Sequence, residues 1–133
     1  MVSTPTPVYD RQDQFQKIES ALLEGERIYA VYDMKGGGTG FIGITSMRLI
    51  FYDSTFLRTR KALVSLPYDR IATVAAEDHH GMVTGRGFFS SSTLIVSVTG
   101  GDHYTFEFRG ADKALHAHNL ILEHMLEAGH PRP

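Results

Sequence analysis

The sequence predicts a mainly β domain: seven antiparallel strands forming a partly open barrel, a capping helix at the C-terminal end and an extra helix at the N-terminal end. Three observations predict it. Apolar residues recur with period two between Arg27 and Phe108, and Gly-rich turns interrupt them. On either side the period lengthens to the 3.6 of an amphipathic helix. The chain has 133 residues, 42% apolar and 21% charged, which is enough to bury one core without staples. The expected layout is a flexible tail over 1–9, one domain over 10–129 and a second tail over 130–133.

The N-terminal helix is expected over about 10–24. Phe15, Ile18, Leu22 and Leu23 fall on one stripe, Asp10 is the candidate N-cap and Gly25 the candidate stop. The barrel is expected over about 26–109. Ile28, Ala30 and Tyr32 alternate with Tyr29, Val31 and Asp33 as a first strand. The turn Lys35-Gly36-Gly37-Gly38-Thr39-Gly40 leads to a second strand at Phe41 to Ile44. Thr45-Ser46-Met47 turns the chain into a third strand, Arg48 to Tyr52. Ala62 to Leu66 is the fourth strand, and Pro67 marks an edge or a strand end because it lacks an N–H donor. Ile71 to Ala76 is the fifth, with a loop beginning at Glu77. Thr93 to Val98 and His103 to Phe108 flank the hairpin turn Gly100-Gly101-Asp102. The C-terminal helix is expected over about 111–128, its apolar stripe made by Ala111, Ala114, Leu115, His118, Leu122, Met125 and Leu126. Gly129, Pro131 and Pro133 end it.

Composition excludes several functions. Without Cys there is no disulfide framework, thiolate metal site or Cys nucleophile. A net charge of −2 removes the general attraction to nucleic acid. The apolar runs are too short to cross a bilayer as a helix. Residues Met1 to Pro7 show neither a basic n-region nor an apolar h-region, so the expected location is cytoplasmic, at most peripheral to the inner membrane face.

Three segments carry a family likeness. Gly25-Glu26-Arg27-Ile28 opens the first strand, Gly43-Ile44-Thr45-Ser46-Met47-Arg48-Leu49-Ile50-Phe51 forms a hairpin, and Leu66-Pro67-Tyr68-Asp69-Arg70-Ile71 leads into the fifth strand. In this order and spacing they resemble bacterial pleckstrin-homology-like (PH-like) domains, and the second resembles the GRAM-like branch too. The resemblance covers roughly residues 25–127. It implies a barrel with a capping helix and a binding role, and some bacterial members form rings. The residues agree physically. The Thr45 hydroxyl can bond turn backbone, the Arg48 guanidinium can reach loop carbonyls, and Pro67 can sit where no ladder bond is required.

Four groups have residue types that could carry chemistry. Gly36 to Gly40 has the composition of a phosphate cradle, but both flanks read as strand, and a cradle needs a helix N-terminus. In the resembled family this loop often contributes to headgroup binding, yet Lys35 is its lone cation. Arg58, Arg60 and Lys61, beside Phe56 and Leu57, form a basic-apolar loop that could touch anionic lipid, at about 1 kcal/mol per cation. Glu77-Asp78-His79-His80 holds metal-ligand types, but adjacent residues in a loop do not converge. Ser90-Ser91-Ser92 lacks the nucleophile-elbow glycines.

The expectation is a non-catalytic interaction module without cofactor or metal. Its partner would be protein, including copies of itself. Lys35, Phe56, Leu57, Arg58, Arg60 and Lys61 are the contact candidates, and Thr45, Arg48 and Pro67 the structural ones. Peripheral binding to anionic membrane lipid is the alternative, and an enzyme or metal site around Glu77 to His80 a distant third.

Overall fold

The computed structural model describes residues 6–35, 40–57, 60–79 and 91–129. Eight strands and two helices follow in the order β1 (Val8–Tyr9), α1 (Gln12–Ser20), β2 (Ile28–Asp33), β3 (Phe41–Thr45), β4 (Arg48–Leu57), β5 (Arg60–Pro67), a short 3-10 turn (Tyr68–Arg70), β6 (Ile71–His79), β7 (Ser91–Val98), β8 (His103–Arg109) and α2 (Lys113–Gly129). The seven expected strands are present, most of them longer at one or both ends. The eighth, Val8–Tyr9, lies where a tail was expected and pairs parallel to Ala30 and Val31. Two residues are too few to show a period, so sequence pattern alone does not reveal it.

The strands form two sheets, ordered β1-β2-β3-β4-β5 and β6-β7-β8. From β2 onward each neighbour in a sheet is antiparallel. Among the described residues the two sheets do not close into a barrel by strand pairing. They meet at one corner, where Met34 bridges Phe108 and the Lys35 N–H donates to the Glu107 carbonyl at 2.7 Å.

Alternation along the strands builds two cores. Ile42, Ile44, Leu49 and Phe51 face inward and meet Leu94, Val96, Phe106 and Phe108 of the smaller sheet. Phe51 packs edge-on against Phe106 with ring centroids 5.0 Å apart. The outward face of the larger sheet is also buried: Ile28, Val31, Phe41 and Ile50 lie with Ile18, and Phe15 and Leu22 pack at the margin. β3 is therefore buried at every position, although one face of it carries only Phe41, Gly43 and Thr45.

Helix α1 is shorter than its apolar stripe suggested. It starts after Arg11, and no side chain caps it. Asp10 is not the N-cap. Its carboxylate accepts from the Asp33 N–H at 2.9 Å and from Lys113 Nζ at 2.7 Å, tying the segment to β2 and α2 instead. The helix ends at Ser20, and Gly25 lies beyond it in a separate turn with φ +79°. The Glu26 N–H closes that turn on the Leu23 carbonyl at 3.0 Å.

Helix α2 corrects a larger expectation. Ala114, Ala117 and Ile121 face the core, with Leu120, His124 and Met125 at its margins. Leu115, Leu122 and Leu126, expected in the core, are exposed. The helix carries two apolar stripes, and polar anchors choose between them. The Ala114 N–H donates to Ser92 Oγ at 3.0 Å, and that hydroxyl donates to the Gly110 carbonyl at 2.8 Å. The Tyr32 hydroxyl bonds His116 Nδ1, while Lys113 holds Asp10. With the rotation set this way, the small Ala114 and Ala117 let the helix axis come close to the strands.

At Gly43 helix α1 lies directly on the sheet. A methyl group there would stand 3.1 Å from three carbons of Ile18. Gly43→Ala is expected to destabilise the fold by about 1–3 kcal/mol through overpacking. Ile18→Val should recover part of that loss in the double variant, a positive coupling that urea denaturation of the four-member cycle would measure.

Candidate functional site

The three segments behind the family likeness converge on one cluster. The Glu26 side chain is fully buried and that of Arg48 is 15% exposed. Arg48 Nε donates to Glu26 Oε2 at 2.9 Å and Nη2 donates to Oε1 at 3.0 Å, the two-pronged geometry that a guanidinium favours. Nη2 also donates to the Ala21 carbonyl at 2.9 Å, and Nη1 to Ser65 Oγ at 2.7 Å. The Thr45 hydroxyl donates to Glu26 Oε2 at 2.5 Å and accepts the N–H groups of Met47 and Arg48, both at 3.1 Å. Glu26 Oε1 accepts the Leu23 N–H at 2.8 Å. The Tyr68 hydroxyl donates to the Thr45 carbonyl at 2.6 Å. Sequence reasoning singled out Thr45, Arg48 and Pro67 but missed Glu26 and Tyr68 as their partners. Pro67 closes β5 opposite Arg48 and delivers Tyr68 into the cluster.

Electrostatics follow the geometry. Burial opposes ionisation of Glu26, but hydrogen bonds from Arg48, the Leu23 amide and Thr45, with the Arg48 charge, outweigh it and hold the carboxyl below its usual value of 4.5. Burial also pushes the Tyr68 phenol up, and nearby Tyr29 and Glu26 add to this against the bond to Thr45, so it remains a neutral donor. Tyr32 is pushed up to about 12 by burial and by the charge of Asp10. The Glu26–Arg48 cluster is thus internally satisfied, with Arg48 largely screened from any ligand.

Of the sequence-predicted contact residues, Lys35, Phe56, Leu57, Arg60 and Lys61 lie toward one end of the larger sheet. Strand register runs from Asp33 opposite Phe41, through Tyr52 opposite Leu63, to Leu57 opposite Arg60. Lys35, at the end of β2, and the tip of the β4–β5 hairpin therefore point the same way. Lys35 is exposed. Phe56, Leu57, Arg60 and Lys61 are described in backbone only, and Arg58 lies outside the described residues, as do the Gly-rich turn over 36–39, His80 and Ser90. Glu77, Asp78 and His79 belong to β6 rather than to a loop. Among the described residues, no group of three or more His, Asp or Glu is placed to hold a metal ion.

Two surface features remain. An open groove of about 460 Å³ runs between the 3-10 turn and the C-terminal end of α2, lined by Met47, Tyr68, Asp69, His124 and Glu127 among others. His124 is stacked on Tyr68 at 4.9 Å and tilted against Tyr29 at 5.0 Å. The second is the outer face of α2, with Leu115, Leu122 and Leu126 in solvent.

No family model matches the chain. It is similar to the uncharacterized protein YozO of Bacillus subtilis (strain 168), 30% identical over 98 residues that cover 74% of this chain and 77% of the relative.

The Glu26–Arg48 pair makes an acid-dependent prediction. Because the folded carboxyl titrates below 4.5, its stabilising contribution is complete above that value and is lost as pH falls through the lower folded pKa. Glu26→Gln is expected to cost about 3–5 kcal/mol at neutral pH by leaving Arg48 buried without its counter-charge. The variant should also lose part of the fall in stability expected below pH 4.5, as urea melts across a pH series would record.

Proposed function

The chain belongs to the YozO family, and we propose that within it this protein is a non-catalytic PH-like interaction module that binds protein, including copies of itself. The observation that carries this reading is the second apolar stripe of α2. Leu115, Leu122 and Leu126 are 48%, 37% and 57% exposed on a helix whose other face already fills the core. Apolar side chains lined up along a rigid element in water suit a protein partner. Among the described residues β5 and β6 are each unpaired along one edge, which adds further docking positions. The PH-like assignment is supported by two sheets, antiparallel from β2 onward, with a helix packed on them, and by the convergence of the three motif segments on Glu26 and Arg48. The non-catalytic part is supported by the most conspicuous polar cluster being satisfied within itself.

Peripheral lipid binding is the second reading, favoured by the shared end of Lys35 and the β4–β5 hairpin tip. Light scattering over a concentration series tests the first reading. The expected result is a mass rising above the 14.8 kDa of one chain. A constant 14.8 kDa mass at all concentrations overturns self-association. Co-sedimentation with phosphatidylserine vesicles that is abolished by charge reversal at Arg60 and Lys61 would favour lipid instead.

A further inference from the structure

The exposed stripe of α2 has a pattern finer than mere apolarity. Leu115, Asn119, Leu122 and Leu126 are separated by four, three and four residues, which is the alternation of the d and a positions of a heptad seam. Asn119 is exposed like the leucines. A polar Asn at a single a position in an otherwise leucine seam is the arrangement that pairs with its own copy across a two-fold axis and fixes register. The residues flanking the seam also match. His118 occupies the g position and Glu123 the following e position, so parallel pairing sets the imidazole of one copy beside the carboxylate of the other. No pair of like charges is created along this stretch.

We propose that two copies of this chain associate through the outer faces of their α2 helices, side by side and parallel, with Asn119 facing Asn119 across the axis. This rests on the interaction-module reading and names its partner. The seam spans about three turns, roughly 16 Å of helix. In isolation so short a seam would not hold a coiled coil. Here each helix is already ordered by its core face and by the Ser92, Tyr32 and Asp10 anchors, so pairing does not have to pay for helix formation. The antiparallel alternative sets Asn119 against Leu122 of the other copy and gives the amide no polar partner across the seam, leaving it only the bond of its Oδ1 to the neighbouring His118 Nδ1 at 3.0 Å, which disfavours it. The small contact makes the dimer concentration-dependent.

Sedimentation equilibrium on the full chain, with circular dichroism to verify folding, tests the seam. The wild-type chain is expected to approach twice the monomer mass as concentration rises. Leu122→Glu should remain monomeric over the same range with an unchanged spectrum, since its side chain lies outside the core. Asn119→Leu should associate more strongly, because it removes the polar position. The absence of Cys allows a direct test of orientation. Asn119→Cys should oxidise to a reductant-sensitive dimer, whereas Leu63→Cys, exposed on β5, should not. Association that persists in folded Leu122→Glu overturns the seam and leaves the interaction-module reading standing. A wild-type chain that stays monomeric overturns self-pairing altogether. Dimerisation without the Asn119→Cys cross-link overturns the parallel arrangement.

Discussion

The ion pair between Glu26 and Arg48 is the constraint on which the described architecture turns. It joins one residue from the turn after α1 to one from the start of β4; Glu26 accepts from Thr45 at the end of β3, and Arg48 donates to Ser65 of β5 and to the Ala21 carbonyl at the end of α1. Two charges withdrawn from water carry a desolvation cost of several kcal/mol each, which their attraction repays only if the remaining hydrogen-bonding capacity is met. Here four further donors and acceptors meet it. The pair therefore specifies geometry more than it adds stability. An apolar replacement could fill the same volume without telling α1 where to stop or the β3–β4 turn how to bend.

A similar division of labour governs α2. Its apolar residues would permit either of two faces to enter the core. The polar bonds to Ser92, Tyr32 and Asp10 decide the rotation, and the alanines at 114 and 117 make the chosen face the one that packs closely. The bulkier leucines are thereby left outside. In both places hydrophobic burial supplies the driving force, while a few directional contacts select among arrangements that burial alone would not distinguish.

This explains what could be read from the residues. Strand existence followed from alternation, and Ile42, Ile44, Leu49 and Phe51 fell inward as their period required. The element bounds were weaker because helix termini depend on partners far along the chain. Asp10 has the chemistry of an N-cap, but Lys113, 103 residues away, competes for its carboxylate. The α2 face was misassigned because leucines weigh more than alanines in any apolar stripe, whereas close packing against a sheet prefers the smaller residue. Glu26 and Tyr68 stood inside recognised motifs, yet their roles lie in contacts across 19 to 23 residues of sequence, which no local period encodes. Of the candidate contact residues, register showed the shared end of the sheet, and that much follows from hairpin pairing.

The hollow at Gly43 has a consequence for the order of assembly. The antiparallel strands are joined to their sequence neighbours, so β2 to β5 and β6 to β8 can each grow by local hairpin closure. Helix α1 is different: the seat for its Ile18 does not exist until β2, β3 and β4 stand side by side, with Gly43 of β3 beneath that side chain. The N-terminal helix can therefore seat only on a finished sheet, and its detachment would uncover the smaller core around Phe41 and Ile50 rather than the principal one.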